Sequence, residues 1–260
     1  MLKTSEVSVR FGGVRALVDV DLDVADGELV GLIGPNGAGK TTFVDALTGF
    51  VRYTGTVELD GRDLAGLSPH RRALSGLGRT WQSTELFDDL TVRENLAVAS
   101  RRPSLWETTK ELFGAEAAGG GEAVAEALDM VDLGWAEDAM PSDLSQGQRK
   151  LVGVARAIVM KPRLLCLDEP AAGLDTGESE ELGHRLRGLA DRGNSMLLID
   201  HDMGFVLSVC DRIFVLEFGK LIASGPPDAV RRDPRVVTAY LGSAAGELVQ
   251  DATAPPEGGA

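Results

Sequence analysis

The chain has no apolar run near the roughly 18 consecutive residues needed to cross a bilayer. Its start, Met1-Leu2-Lys3-Thr4-Ser5-Glu6, offers no apolar core of a secretory leader. Both absences point to a cytoplasmic chain. Cysteine is scarce. The two that occur, Cys166 and Cys210, are far apart and lack metal-ligand spacing. Cys166 lies inside an apolar strand and reads as a reduced core thiol. Positive charge is also in deficit, with 26 Lys and Arg against 40 Asp and Glu, a formal net charge of −14. That excludes non-specific nucleic-acid binding and electrostatic docking on anionic lipid, so a membrane role requires a protein partner. Core material is ample: 43% of the 260 residues are hydrophobic, enough for one large domain or one domain with an insert.

Gly34-Pro35-Asn36-Gly37-Ala38-Gly39-Lys40-Thr41-Thr42 fits the Walker A pattern of glycine, four residues, then Gly-Lys-Ser/Thr. The apolar run Leu29–Ile33 before it reads as a buried parallel strand. Phe43, Val44, Ala46 and Leu47 after it read as a helix that Gly49 can close. Strand, glycine turn and helix start are the parts of a phosphate cradle. Backbone N–H groups converge there, and the helix N-terminus adds positive potential. Lys40 is suited to the β- and γ-phosphates and Thr41 to Mg²⁺.

Elsewhere, Val18, Val20, Leu22 and Val24 alternate with Asp19, Asp21 and Asp23, the period of a half-exposed antiparallel strand that turns at Asp26-Gly27. Residues 55–61 form another short strand. A small antiparallel layer therefore accompanies the phosphate-loop core. Phe11, beside Gly12 and Gly13, either stacks on a base or packs in the core. Gln82 carries little signal by itself. Thr91 and Glu94 have capping-box spacing. The stretch from about 88 is rich in Ala and Glu and lacks strand signals. It reads as a helical subdomain inserted into the α/β core, with a loop at Gly119-Gly120-Gly121. The basic pairs Arg71-Arg72 and Arg101-Arg102 read as solvated surface.

Ser145 is a natural N-cap for a helix whose Leu151, Val154, Ala155 and Ile158 share one face. The start of that helix either binds an anion or is simply capped. Leu164–Asp168 is a buried strand ending in acids, where open α/β sheets bind ligands. Asp168 has the Walker B role of holding Mg²⁺, and Glu169 is placed to polarise water. The loop 171–175 leads into a helix with Leu182, Leu186 and Leu189 inward and a Glu181–Arg185 pair outward. Met196–Ile199 is a further buried strand, with His201 past its carboxyl end as either a structural or a site histidine. Arg212–Ala223 reads as a hairpin turning near Gly219-Lys220. The small, polar residues 243–260 read as a disordered tail.

The order of Walker A, Gln82, Leu144–Gln148, Walker B with Glu169, Leu174-Asp175 and His201 closely resembles the ATP-binding cassette ATPases, over residues 11–242. The resemblance implies an α/β fold: a P-loop core with a parallel sheet, an N-terminal antiparallel β layer and a helical subdomain over about 88–160. It implies ATP and Mg²⁺ as cofactors. Phe11 would stack on adenine, where such proteins usually carry tyrosine. Gln82 would touch Mg²⁺ and the attacking water. Ser145, Gly147 and Gln148 would contact the γ-phosphate held by an opposing cassette, and Asp175 would link the two sites. Glu169 would be the catalytic carboxylate, and His201 would hold the γ-phosphate. Gln146 stands where the usual signature has glycine.

Phe11-Gly12-Gly13, Gly78–Gln82 with Leu86-Phe87, Asp200–Met203 and Ala239–Gly242 further resemble the ATPase subunits of branched-chain amino acid importers, relatives of which serve urea or short amides. The expected partners are transmembrane permease subunits, a second cassette and a solute-binding protein, with no nucleic acid, at the cytoplasmic face of the membrane. The competing readings are a lipopolysaccharide-export ATPase and a soluble cassette protein acting on nucleic acid.

Overall fold

The computed structural model describes residues 1–81, 86–100 and 120–240. The expectations for Gln82, Gly119, Arg101, Arg102 and the tail 243–260 fall outside these residues.

Four strands with apolar interiors form the centre: β4 (Leu29–Ile33), β8 (Leu164–Asp168), β9 (Ser195–Ile199) and β10 (Arg212–Glu217). With β7 (Leu77–Arg79) and β11 (Lys220–Gly225) they make a six-stranded sheet in the order β11-β10-β4-β9-β8-β7. Neighbours pair in parallel except β10 and β11. Residue parity sorts each buried strand between two cores. In β4, Leu29 and Ile33 enter one cluster and Val30 and Leu32 the other. Met196 and Leu198 in β9 part in the same way from Leu197 and Ile199. The hairpin β10–β11 turns at Phe218-Gly219, both with positive φ (46° and 77°), the geometry of a two-residue turn.

A second sheet, β2-β1-β5-β6 with β3 beside β1, covers one face. Its strands are β1 (Leu2–Phe11), β2 (Val14–Val20), β3 (Asp23–Val24), β5 (Thr54–Leu59) and β6 (Arg62–Asp63). The expected strand over 18–24 is two strands. Asp19 takes a left-handed backbone (φ 49°), and the pairing with β1 shifts register from Val7↔Val20 to Val9↔Leu17. This bulge moves the inward parity by one residue, so Leu17 is buried with Val20, Leu22 and Val24, and Val18 is not.

Between the sheets lies α1 (Lys40–Thr48), whose Phe43 and Leu47 are fully buried and which Gly49 closes with φ 84°. Arg72, in α2 (Pro69–Leu74), corrects the expectation of a solvated pair: it is only 3% exposed. Its Nη1 donates to the Ala46 and Leu47 carbonyls at 2.8 and 2.7 Å, satisfying the free end of α1.

The other face carries helices. Thr91 and Glu94 form the expected capping box ahead of α3 (Val92–Ser100). Leu96 of α3 packs in one cluster with Val124 and Leu128 of α4 (Gly120–Met130) and with Leu151 and Val154 of α5 (Gln146–Ile158). The same cluster takes Leu182, Leu186 and Leu189 from α6 (Thr176–Asp191) and Val206 from α7 (Met203–Val209). Gly31 permits the approach of α7, since a Cβ there would lie 2.5 Å from a methyl of Val206. The short α8 (Pro227–Arg231) follows β11.

Candidate nucleotide site

The site is built at the carboxyl ends of β4, β8 and β9. Leaving β4, the chain turns through Gly34 at φ 155°, where any Cβ would sit 2.1 Å from the Leu216 carbonyl oxygen. The loop 34–39 then wraps the Lys40 ammonium, which donates to the carbonyls of Gly34 and Pro35 at 2.7 and 3.1 Å. Burial pushes the Lys40 pKa below its ordinary value, opposed by the nearby carboxylates Glu169, Asp200 and Asp168. Asn36, Gly37 and Thr41 are exposed, Thr42 is half-buried, and Ala38 is buried. The Ala38 carbonyl accepts from Gly219 N–H at 2.9 Å, which ties the loop to the β10–β11 turn. Backbone N–H groups, an ammonium and two threonine hydroxyls are the donors that a polyphosphate requires.

Asp168 ends β8 with its carboxylate buried and held at 2.9 Å by Nη2 of Arg79. Glu169 follows in a left-handed conformation (φ 48°). Its N–H donates to the Ile199 carbonyl at 2.7 Å. Its own carbonyl accepts from Ala172 N–H at 3.2 Å and from the Lys150 ammonium at 3.3 Å. Lys150 is buried, which lowers its pKa. His201, half-exposed beyond β9, brings Nδ1 to 3.8 Å from the Glu169 carboxylate and 3.5 Å from Asp200. Asp200 is fully buried and accepts from the N–H groups of Ala171 and Asp202 at 3.2 and 3.0 Å. The expected Lys40, Asp168, Glu169 and His201 therefore share one site.

Of the remaining described candidates, Ser145, Gly147, Gln148 and Asp175 have hydrogen-bond partners of their own. Ser145 caps α5 by accepting from Gln148 N–H at 3.3 Å, and the Gln148 side-chain oxygen accepts from Ser145 N–H at 2.9 Å. Gly147 N–H donates to the Glu178 carboxylate at 3.0 Å, so the first turn of α5 faces an acid of its own chain. Asp175 caps α6 through Glu178 N–H at 2.8 Å. Gln146 lies over the exposed Gly173, where a Cβ would be 2.9 Å from its side-chain nitrogen. Phe11 is 52% exposed at the end of β1, so it is not a core residue.

The family described as ABC transporter matches residues 17–172. The chain belongs to the ABC transporter ATPases. A second family, described as branched-chain amino acid ATP-binding cassette transporter, matches residues 220–246. The chain is 39% identical to the high-affinity branched-chain amino acid transport ATP-binding protein BraF of Pseudomonas aeruginosa, over 94% of this chain and 98% of the relative. It is 40% identical to LivG of Salmonella typhimurium, which carries the same description, with the same coverage. The lipopolysaccharide export system ATP-binding protein LptB of Escherichia coli is 35% identical, over 93% and 97%. Among solved structures, a nucleotide-free ATP-binding cassette from an ABC transporter superposes with TM-score 0.81 at 30% identity, covering 92% and 98%. The ADP conformation of the cassette MJ1267 gives 0.81 at 30% identity, covering 93% and 98%. The cassette's ATP-binding role and its α/β architecture follow from membership. Among the described residues, no helix is long and apolar enough to cross a membrane.

Sequence reading gave no role to Arg79, Asp45, Lys150 and Asp200, which adjoin the cluster of Lys40, Asp168, Glu169 and His201, nor to Glu178, which faces Gly147 at the start of α5. Asp200 had a local signal, a carboxylate directly after a buried strand. Arg79 and Lys150 act across 89 and 19 residues of chain, and local pattern carries no trace of such pairs.

Proposed function

We propose that this chain is the ATP-hydrolysing subunit of an importer of branched-chain amino acids or related small solutes such as urea and amides. The observation that carries the hydrolytic part is the convergence of Lys40, Asp168, Glu169 and His201 at the ends of three parallel strands. The substrate part is supported by the family match over 220–246 and by the relatives of that description, and it is preferred over lipopolysaccharide export on that basis.

In this reading the triphosphate lies on the loop 34–42, with Lys40 turning from the Gly34 and Pro35 carbonyls toward the phosphates. The Thr41 hydroxyl and the Asp168 carboxylate are hard oxygen donors that fit Mg²⁺. The ion, when bound, neutralises charge on the phosphate oxygens. Glu169 orients water and accepts its proton, with its carboxylate 3.8 Å from His201. His201 would steady the terminal phosphate, Gln82 would serve the ion and the water, and the exposed Phe11 would stack on adenine. Ser145, Gly147 and Gln148 receive the phosphate of a second cassette, a copy or a paralogue, and Asp175 joins the two sites. Residues 1–242 form the ATPase domain, with 88–160 as its helical part and 243–260 as a tail. The partners are permease subunits and a solute-binding protein, with no nucleic acid, and the location is the cytoplasmic face of the membrane.

Lys40→Ala tests the site. Phosphate release with Mg·ATP should fall at least about 100-fold, which corresponds to about 2.7 kcal/mol of barrier. A rate equal to that of the parent would place hydrolysis elsewhere.

A further inference from the structure

One buried cation joins parts of the site that the motifs leave separate. Arg79 stands at the end of β7, its side chain 7% exposed. Nη2 donates to Asp168 Oδ2 at 2.9 Å, while Nη1 donates to Asp45 Oδ1 at 2.6 Å and meets Thr48 Oγ1 at 3.3 Å. Asp45 and Thr48 lie on α1, the helix that Lys40 opens. The backbone beside it is fastened too. Thr80 N–H donates to the Cys166 carbonyl at 2.9 Å, and Asp168 N–H donates to Thr80 Oγ1 at 3.3 Å. Among the described residues Arg79 Nε is buried without a hydrogen-bond partner, and the hold on Asp168 runs through Nη2.

The outer face of this guanidinium is roofed by aromatics. The Trp81 ring lies 4.2 Å from the guanidinium carbon, and Phe50 meets Trp81 edge-on at 5.2 Å between centroids. Both rings are about half exposed, and Trp81 also lines the cleft of about 290 Å³ that reaches Asp168 and Lys150. A cation against an indole face is attracted to it, and the roof keeps water from an ion pair that weakens when solvated.

We propose that Arg79 is a positioning residue for the metal-binding carboxylate, and that Trp81 governs its grip. With Oδ2 held by the guanidinium, Asp168 presents Oδ1, which has no hydrogen bond shown among the described residues, in one fixed orientation. Loss of Arg79 leaves the Asp45 and Asp168 carboxylates without the cation between them, and loss of Trp81 admits water to the pair. The inference rests on the reading of Asp168 as a Mg²⁺ ligand.

The test is Mn²⁺ binding to the ADP-loaded full chain, read by electron paramagnetic resonance, for Asp168→Asn, Arg79→Gln, Arg79→Lys and Trp81→Ala. Metal-free ADP affinity and thermal melting are followed alongside. Arg79→Gln should raise the Mn²⁺ Kd about tenfold or more, in the range usual for groups that orient a metal ligand. Arg79→Lys should recover part of that loss, and Trp81→Ala should fall between Arg79→Lys and Arg79→Gln. Metal-free ADP should bind all four variants as it binds the parent, because the loop 34–42 is untouched. Unchanged Mn²⁺ affinity in Asp168→Asn would overturn the underlying reading of the metal site. Weakened binding in Asp168→Asn, with parental binding in Arg79→Gln and Trp81→Ala, would overturn the positioning role alone. Should Arg79→Gln melt early, Arg79→Lys and Trp81→Ala decide the question, because the first keeps the charge and the second alters an exposed ring.

Discussion

At the scale of the residue, burial decides what the two thiols can do. Cys166, inside its apolar strand, is pushed up to about 12 by burial, and Cys210 is raised further. Both thiols therefore stay protonated at pH 8. Neither should react with a disulfide reagent in the native protein, while two per chain should react in guanidinium. Native labelling faster than unfolding would contradict this burial. Cys166 as a core thiol was readable from its strand, and the Walker A loop was readable because its lysine, glycines and threonines sit within nine consecutive residues. Arg72 and Arg79 depend on packing partners instead. Arg72 was expected as solvated surface, and Arg79 was read only as part of the run Gly78–Gln82. Each is buried because carbonyls or carboxylates from distant segments converge on it, and sequence spacing encodes no such meeting.

Elements were legible where hydrophobic period and turn chemistry agreed. β4, β8, β9 and the β10–β11 hairpin lie where apolar runs and turn residues put them. The strand over 18–24 was not found as written, because a bulge alters parity without altering composition. Links between elements are a further layer. Arg212, at the start of β10, reaches Asp23 of β3 at 2.8 Å and Glu28 ahead of β4 at 2.8 Å, so it ties the two sheets together. The guanidinium bond holds Asp23 below its ordinary value of 3.8. A depressed carboxylate contributes its full stability above 3.8 and loses it as pH falls through the folded-state value. Arg212→Gln should destabilise the fold at pH 7 by about 1 kcal/mol, since Asp23 is partly solvated. Denaturant unfolding should show the gap between parent and variant closing in acid. A gap that stays constant with pH would assign the loss to Glu28 or to the packing of Arg212 over the Phe214 ring.

For the whole molecule, the decisive question is whether one chain completes the site. Ser145 and Gly147 find their hydrogen bonds in α5 and α6 rather than at the Walker A loop. The proposed function has those residues serve a site shared between two cassettes. Glu169→Gln retains shape and removes the proposed base, so saturating Mg·ATP should trap a dimer visible by light scattering. Adding Ser145→Arg should abolish the dimer and leave nucleotide binding to the monomer intact. Loss of monomer binding in Ser145→Arg would argue against sharing. A persistent Glu169→Gln monomer calls for the same measurement with a paralogous cassette.

The parity of β4 carries a consequence for how this chain can change length. Four of its five residues, all but Gly31, divide by parity between two cores, and the strand hands the chain to the phosphate loop at a set rotational phase. One inserted residue would exchange the two sets and swing Gly34 away from the Leu216 carbonyl it grazes. Substitutions that keep apolar size can accumulate in β4, but a single-codon insertion or deletion there would corrupt core and cradle together. The strand behaves as a ruler whose graduations may be repainted and never moved.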